Sequence, residues 1–465
     1  MTSSNSVVFG LEQCVGPGVI VAPDAHNVMR HLRDYGVAGS PGTEILALAY
    51  PRNTQDVSRL LEYCNARRIP VQPQGGMTGL AGGGVPIGPC VVVSLERMRS
   101  IREIDPATAT ITVEAGVLME TVQKAAAAAD LFFPLDLGGR GSCQIGGNVS
   151  TNAGGNRVLR FGMARDLVLG IEAVLADGTV IDSLRKVIKN NTGYDVRQLF
   201  IGAEGTLGIV TAVVLRLFPK PRSVCTGICA LADYGRVLAL LSAARAGLGS
   251  QLTAFEVMWP SFFELGTAAM GRKPPLPPGA GAYVLIETMG ADSEADQQRY
   301  EAVIGAALEA GIVDNAVIAQ SQREMAELWR VRDSPGEWQR TAHWPQLSFD
   351  VSAPTGEIGD LVADLEALLS ARWPRLRTVY FGHVADGNLH ASVGMAGHSV
   401  AAEDIEDAFY EVASRRRGSI SAEHGIGSLK RKYLHLTRSA AEIALMRSIK
   451  DAMDPNGILN PGKIF

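Results

Sequence analysis

Cysteine is scarce in this 465-residue chain, and no apolar run is long enough to cross a bilayer. Positive charge is also in short supply, since 43 Lys and Arg against 48 Asp and Glu leave a formal net charge of −5. A chain without a basic surplus is a poor general nucleic-acid binder, so any anion must be met by local arginines and backbone N–H groups. The six cysteines (Cys14, Cys64, Cys90, Cys143, Cys225 and Cys229) include no CxxC pair. They are expected as reduced, packed thiols, with the neighbours Cys225 and Cys229 structural. The opening Met1-Thr2-Ser3-Ser4-Asn5-Ser6 has neither the basic nor the apolar region of a secretory signal. These features point to the cytoplasm, with at most peripheral contact to a membrane. Histidine is rare too, eight in all, so any clustering of them is informative.

Hydrophobic residues make up 46% and charged residues 20%, the balance of a globular protein with a large core, and the length suggests two or three domains. From about residue 45 to 220, helix and strand patterns alternate. Asn53 reads as an N-cap, followed by Val57, Leu60, Leu61 and Cys64 at helical spacing. Runs such as Cys90-Val91-Val92-Val93 and Thr110-Ile111-Thr112-Val113 read as buried strands. Pro219-Lys220-Pro221 marks a boundary. Beyond it, strands are expected at Tyr283–Ile286, Leu347–Val351 and Thr378–Phe381, with helices near 292–310 and 356–372. Pro274–Pro278 reads as an exposed loop.

Glycine is the abundant residue, 51 in all, and it gathers in three segments of the first block: Pro73–Gly84, Gly138–Gly155 and Gly202–Gly208. Glycines let a backbone approach a phosphate and turn successive N–H groups toward it. A Rossmann motif would need a helix to begin at the glycines, whereas the first segment runs into Val85-Pro86-Ile87-Gly88-Pro89. A P-loop would need Gly-Lys-Ser/Thr, and none follows. What remains is a dinucleotide held by loops, or a set of tight turns with no ligand.

Three histidines and a carboxylate fall in two short segments, Gly382–His390 and Ser421–Gly425. Two imidazoles, His383 and His390, with Glu423 make the donor set of a divalent metal site that keeps positions open for a substrate. His424 would then be free to act as a base. Asp386-Gly387 predicts a tight turn that could bring His383 and His390 together across a hairpin. A polar hairpin and an unrelated turn would use the same residues.

The three glycine segments and the closing Asn460-Pro461-Gly462-Lys463 resemble the FAD-binding proteins of the vanillyl-alcohol oxidase type. Within these the chain is similar to the D-2-hydroxyacid dehydrogenases, which include D-lactate dehydrogenase, D-2-hydroxyglutarate dehydrogenase and the glycolate oxidase catalytic subunit. The likeness runs from about 45 to 465. It implies an α+β protein: a two-subdomain FAD-binding domain over 1–219, a ferredoxin-like α/β cap domain over 220–420, and a segment 421–465 that returns to the FAD domain.

By this resemblance Gly75, Gly76, Met77, Thr78, Gly79 and Leu80 wrap the pyrophosphate. Ser142, Gly146, Gly147, Thr151, Asn152 and Gly155 line the flavin and its ribityl chain. Glu204, Gly205 and Ile209 meet the adenosine or ribose side, and Asn460 approaches the isoalloxazine. Pro73, Pro134 and Asn148 complete the set. Relatives with a covalent flavin carry histidine where Met77 stands, so the FAD is expected to be non-covalent. The same carry-over makes His383, His390 and Glu423 metal ligands, with zinc expected although manganese or iron suits the same donors. Ala385 departs from the glycine often found there.

The resemblance also implies the reaction. A 2-hydroxyacid chelates the ion, His424 takes the hydroxyl proton, and the C2 hydrogen leaves as hydride to the flavin. Arg332 matches the family's substrate-carboxylate arginine, whose fork suits two hydrogen bonds. Ser348 stands where relatives often carry lysine, which leaves D-lactate, D-2-hydroxyglutarate and other hydroxyacids open. His343 and Trp344 could border the substrate cleft, though an interdomain pair is the alternative. The electron acceptor (quinone, electron-transfer flavoprotein, cytochrome or oxygen) has no signature, and a homodimer is expected from family habit alone. Two other classes compete: a non-catalytic FAD-binding accessory subunit, and an NADPH-dependent flavin reductase on the same fold.

Overall fold

The protein is described from a computed structural model over residues 4–39, 43–271, 273–341, 346–394 and 400–465. His343 and Trp344 lie outside the described residues. The chain divides into two compact units, one of Met1–Gly154, Gly162–Lys220 and Glu423–Phe465, the other of Gly155–Phe161 and Pro221–Ala422.

The first unit contains two main sheets. One has the order Ile20–Val21, Ile45–Ala49, Cys90–Ser94, Val71–Gln74, with its last three strands parallel. Parallel neighbours need a crossover, and the helix Thr54–Ala66 supplies one. Asn53 caps this helix, its side chain accepting from the Asp56 N–H at 2.9 Å, a device that contributes about 1 kcal/mol. Val57, Leu60, Leu61 and Cys64 are buried along it. The other sheet has five antiparallel strands in the order Ile101–Asp105, Thr110–Glu114, Ile209–Arg216, Val168–Val174, Val180–Ser183. Each sheet has its own apolar core. The helix Ser4–Val15, for which the sequence offered no reading, buries Val7, Leu11 and Val15 in the core of the first sheet.

The second unit is built on seven antiparallel strands in the order Asn315–Ile318, Ser223–Leu231, Ala282–Gly290, Leu252–Met258, Arg377–Gly382, Asn388–Gly394, Gln346–Ser352. Helices Ser293–Glu309 and Ile358–Arg372 form within the stretches 292–310 and 356–372 where helices are expected. Cys225 and Cys229 are buried free thiols on the strand Ser223–Leu231. The expected exposed loop at Pro274–Pro278 needs correcting at Leu276, which is buried in the apolar cluster with Phe262, Phe263 and Tyr283. A leucine flanked by prolines still gains by leaving water when a hollow is within reach.

The excursion Gly155–Phe161 leaves the first unit for seven residues. Within the second unit Arg157 Nε lies 3.2 Å from Glu287 Oε1, and Arg160 Nη1 donates to the Met289 carbonyl at 2.6 Å. No feature of local periodicity announces it.

Candidate active site

The first glycine segment follows directly on the strand Val71–Gln74, so Pro73 and Gln74 deliver the backbone into the loop. At Gly76 a Cβ would lie 2.1 Å from the carbonyl oxygen of Ser142, so only glycine lets these two loops touch. In the second segment the short helix Ile145–Ser150 follows Gly141 after Ser142, Cys143 and Gln144, and a Cβ on Gly146 would lie 2.6 Å from that of Ala115. The helix carries Gly146, Gly147 and Asn148. Asn148 Nδ2 faces the sulfurs of Cys143 (3.5 Å) and Met119 (3.8 Å), and Thr151 donates its hydroxyl to the Gly147 carbonyl at 3.0 Å. Ile209 is buried at the start of its strand, and Gly155 opens the excursion into the second unit.

Four of the residues singled out in these loops are non-glycines in the left-handed region: Met77 (φ 54°), Asn152 (50°), Glu204 (52°) and Asn460 (42°). Such conformations cost on the order of 1 kcal/mol each and persist where surrounding structure imposes them. Asn460 Nδ2 donates to the carbonyl oxygens of Glu204 (2.6 Å) and Gly83 (3.1 Å), which ties the C-terminal tail to the first and third glycine segments.

Glu204 is the acid expected on the adenosine or ribose side. Its buried carboxylate accepts the backbone N–H groups of Ile426 and Gly427, each at 2.8 Å. Burial raises its pKa, and these two donors pull the other way. Its role here is to hold the turn that follows Glu423 and His424. Both of those residues are half-buried members of the first unit.

Two supports of the first loop went unread in the sequence. Asp34 accepts from the N–H groups of Gly36 (3.0 Å), Val37 (2.6 Å) and Gly82 (3.1 Å), and burial raises its pKa. His31 places Nδ1 2.6 Å from Gln74 Oε1 and Nε2 2.9 Å from the Tyr50 hydroxyl, with burial lowering its pKa. An Asp two residues before a glycine is a turn signal that could have been read; the reach to Gly82 could not.

In the second unit the strands Arg377–Gly382 and Asn388–Gly394 pair antiparallel, with Phe381 opposite His390. The connection is a 3-10 turn, Val384–Asp386, closed by Gly387 at φ 90°, longer than the two-residue turn expected. It brings the rings of His383 and His390 to 5.4 Å between centroids at 82°, with ring nitrogens within 4.8 Å of one another. Ala385 is buried in this turn without displacing the pair.

A buried carboxylate stands behind each imidazole. Glu256 Oε1 is 2.6 Å from His383 Nδ1, and Asp350, across the strand pair from His390, lies 3.6 Å from its Nδ1. Arg332 ends the helix Gln322–Arg332 and is 6% exposed, which rules out a surface arginine. Its Nε donates to Glu256 Oε2 at 2.7 Å, its Nη2 lies 3.4 Å from His383 Nε2, and its Cζ is 4.9 Å from the centre of the Phe381 ring. Burial alone would raise the pKa of Glu256, but its close partners His383 and Arg332 outweigh it and carry it down to about 2. Ser348 lies exposed on the strand Gln346–Ser352.

Residues 45–183 match the family model "FAD binding domain", and residues 220–464 match "FAD linked oxidases, C-terminal domain". An Arabidopsis thaliana protein named D-2-hydroxyglutarate dehydrogenase, mitochondrial, is 42% identical over 417 residues, covering 89% of this chain and 74% of that protein. A Xanthomonas citri D-2-hydroxyglutarate dehydrogenase is 37% identical across 98% of this chain and 96% of its own length. A Schizosaccharomyces pombe protein whose name gives D-lactate dehydrogenase is 38% identical across 98% and 87%. The chain belongs to the FAD-dependent D-2-hydroxyacid dehydrogenase family. It is accordingly an FAD-dependent oxidoreductase. Among solved structures, p-cresol methylhydroxylase (TM-score 0.77, 17% identity, 99% and 96% of the two chains) has the same fold. So does 4-ethylphenol oxidase from Gulosibacter chungangensis (0.75, 18%, 99% and 96%), an architecture of the vanillyl-alcohol oxidase type.

The family's cofactor fits the first unit. Its first two glycine loops meet backbone to backbone at Gly76 and Ser142, and two buried amide oxygens, Gln144 Oε1 and Asn460 Oδ1, have no partner among the described residues. Such acceptors suit the N–H and O–H groups of a flavin and its ribityl chain. A divalent ion fits the second unit's imidazoles. A carboxylate 2.6 Å from His383 Nδ1 suits a ring proton on that nitrogen, which makes Nε2, approached by Arg332 Nη2 at 3.4 Å, the nitrogen with the lone pair that a metal needs. No helix among the described residues is long and apolar enough to cross a membrane.

Proposed function

We propose that this enzyme oxidises a D-2-hydroxyacid of the D-2-hydroxyglutarate or D-lactate type to the 2-oxoacid, with non-covalent FAD as the first electron acceptor. The observation that carries the reading is the pair of buried imidazoles, His383 and His390, with a buried guanidinium, Arg332, beside them. When bound, the flavin accepts the C2 hydride, and a divalent ion, zinc in this proposal, supplies positive charge to the hydroxyl oxygen.

The chain's residues divide the remaining work. His383, His390 and Glu423 hold the ion. Ser421 supports the inclusion of Glu423, because its hydroxyl is 3.5 Å from Asp350 Oδ2, and Asp350 stands beside His390. Glu423 is two residues further on, at most about 7 Å of chain. His424, next in sequence, takes the hydroxyl proton. Arg332 receives the C1 carboxylate on its η nitrogens, since its Nε edge is committed to Glu256. Met77, Asn152 and the glycine loops wrap the FAD. Reoxidation passes the electrons to a separate acceptor: a quinone, an electron-transfer flavoprotein or a cytochrome. The protein works as a homodimer in a reducing compartment, the cytoplasm in this proposal, in keeping with its six free thiols.

Anaerobic mixing of the purified yellow protein with a panel of D- and L-2-hydroxyacids, and separately with NADPH, tests the reading. Bleaching by one D-hydroxyacid supports it. Bleaching by NADPH alone would make the protein a reductase, and bleaching by neither would make it an accessory subunit.

A further inference from the structure

Glu256 sits within the strand Leu252–Met258 and is 1% exposed. A carboxylate survives there only if both oxygens are well partnered. Oε1 is 2.6 Å from His383 Nδ1, and Oε2 accepts from Arg332 Nε at 2.7 Å. The three side chains come from separate elements of the second unit: a strand, the residue after another strand, and the last residue of a helix.

We propose that Glu256 is a positioning residue that orients His383 toward the metal ion and Arg332 toward the substrate carboxylate at the same time. The inference rests on the site reading above and extends it by one residue. The carboxylate accepts the Nδ1–H of His383, which fixes the tautomer with its lone pair on Nε2 and stops the ring from turning. It also grips Arg332 by the Nε edge, which leaves Nη2 3.4 Å from His383 Nε2, and the Phe381 ring 4.9 Å from Cζ completes that seat. One group therefore sets both the donor atom of a ligand and the fork of an arginine. Hydrogen-bonded carboxylates behind metal-ligating histidines raise ligand basicity, and their loss typically weakens metal binding by about 10–100-fold. Asp350, 3.6 Å from His390 Nδ1, is too distant to play the same part as firmly.

A Gln at this position keeps the shape but can turn its NH2 toward His383 and reverse the tautomer. The test compares wild type and Glu256→Gln as purified flavoproteins, measuring zinc affinity by chelator competition with elemental analysis. Flavin content and thermal midpoint serve as controls on folding. The expected result is zinc binding weaker by about 10–100-fold at unchanged flavin content, together with a raised KM for the hydroxyacid. Zinc affinity within about twofold of wild type would overturn the proposal. Should the variant not fold, 15N shifts of labelled histidine in the wild type, assigned with His383→Asn, decide instead: Nδ1–H supports the proposal and Nε2–H sinks it. Wild-type protein that binds no zinc would overturn the site reading as well, whereas zinc-binding wild type with an equally zinc-binding Glu256→Gln would overturn this inference alone.

Discussion

Asn460 donates its side-chain amide to the backbone carbonyl of Glu204 at 2.6 Å, joining residues 256 positions apart. The same Nδ2 donates to the Gly83 carbonyl at 3.1 Å, and the side chain is almost fully buried at a φ of 42°. Replacing it with Ala takes the donor from the buried Glu204 carbonyl, at a cost of about 1–3 kcal/mol, while the Gly83 carbonyl keeps the Gln72 side-chain amide at 3.1 Å. Asn460→Ala is therefore expected to lower thermal stability and to release FAD more readily. Flavin retained per chain after gel filtration, read from the visible flavin band, checks this.

Gly76 leaves no comparable slack. A methyl there would press on the Ser142 carbonyl, a backbone atom that cannot rotate away. Gly76→Ala is expected to purify without the flavin band while the far-ultraviolet circular dichroism stays close to wild type. A fully yellow variant would mean the two loops can part without loss.

His424 should separate binding from chemistry. General-base removal typically costs about 10²–10⁴-fold in the proton-transfer step. His424→Ala is expected to bind FAD as wild type does and to be reduced by hydroxyacid slower by that factor in single-turnover mixing. Unchanged reduction would remove it from the base role.

Lys463 carries a pH signature. Burial, opposed by Cys90, Glu204 and Asp34 and aided by Arg431, lowers its ammonium pKa from 10.5 to about 8. The charge is held by the Val85 carbonyl at 2.6 Å. Below pH 8 both folded and unfolded chains bind the proton, so the penalty is fully present. Between about 8 and 10.5 the unfolded chain binds more protons than the folded one, and the stability contribution rises with pH by up to about 3 kcal/mol. Thermal midpoints of wild type and Lys463→Met across this window should converge as pH rises, with the variant ahead at pH 7. Parallel curves would show that the lysine is not buried as an ammonium.

Sequence alone sufficed wherever the deciding physics is local. Asn53 as a cap, the apolar run Thr378–Phe381, the Asp386-Gly387 turn and the crowding of glycines depend on neighbours a few positions away, so turn chemistry and local composition expose them. The turn after His383 was legible in kind, though its 3-10 geometry was not, because turn type depends on how the flanking strands pack. What only the tertiary structure decided is which carboxylates serve the site. Glu256 is one polar residue in the apolar run Phe255–Met258, Asp34 drew no reading, and Glu204 was expected only on the adenosine or ribose side of the cofactor. Each finds at least one partner dozens to hundreds of residues away. A buried charge is tolerated only where folding brings donors from distant segments to it, and no local pattern encodes that meeting.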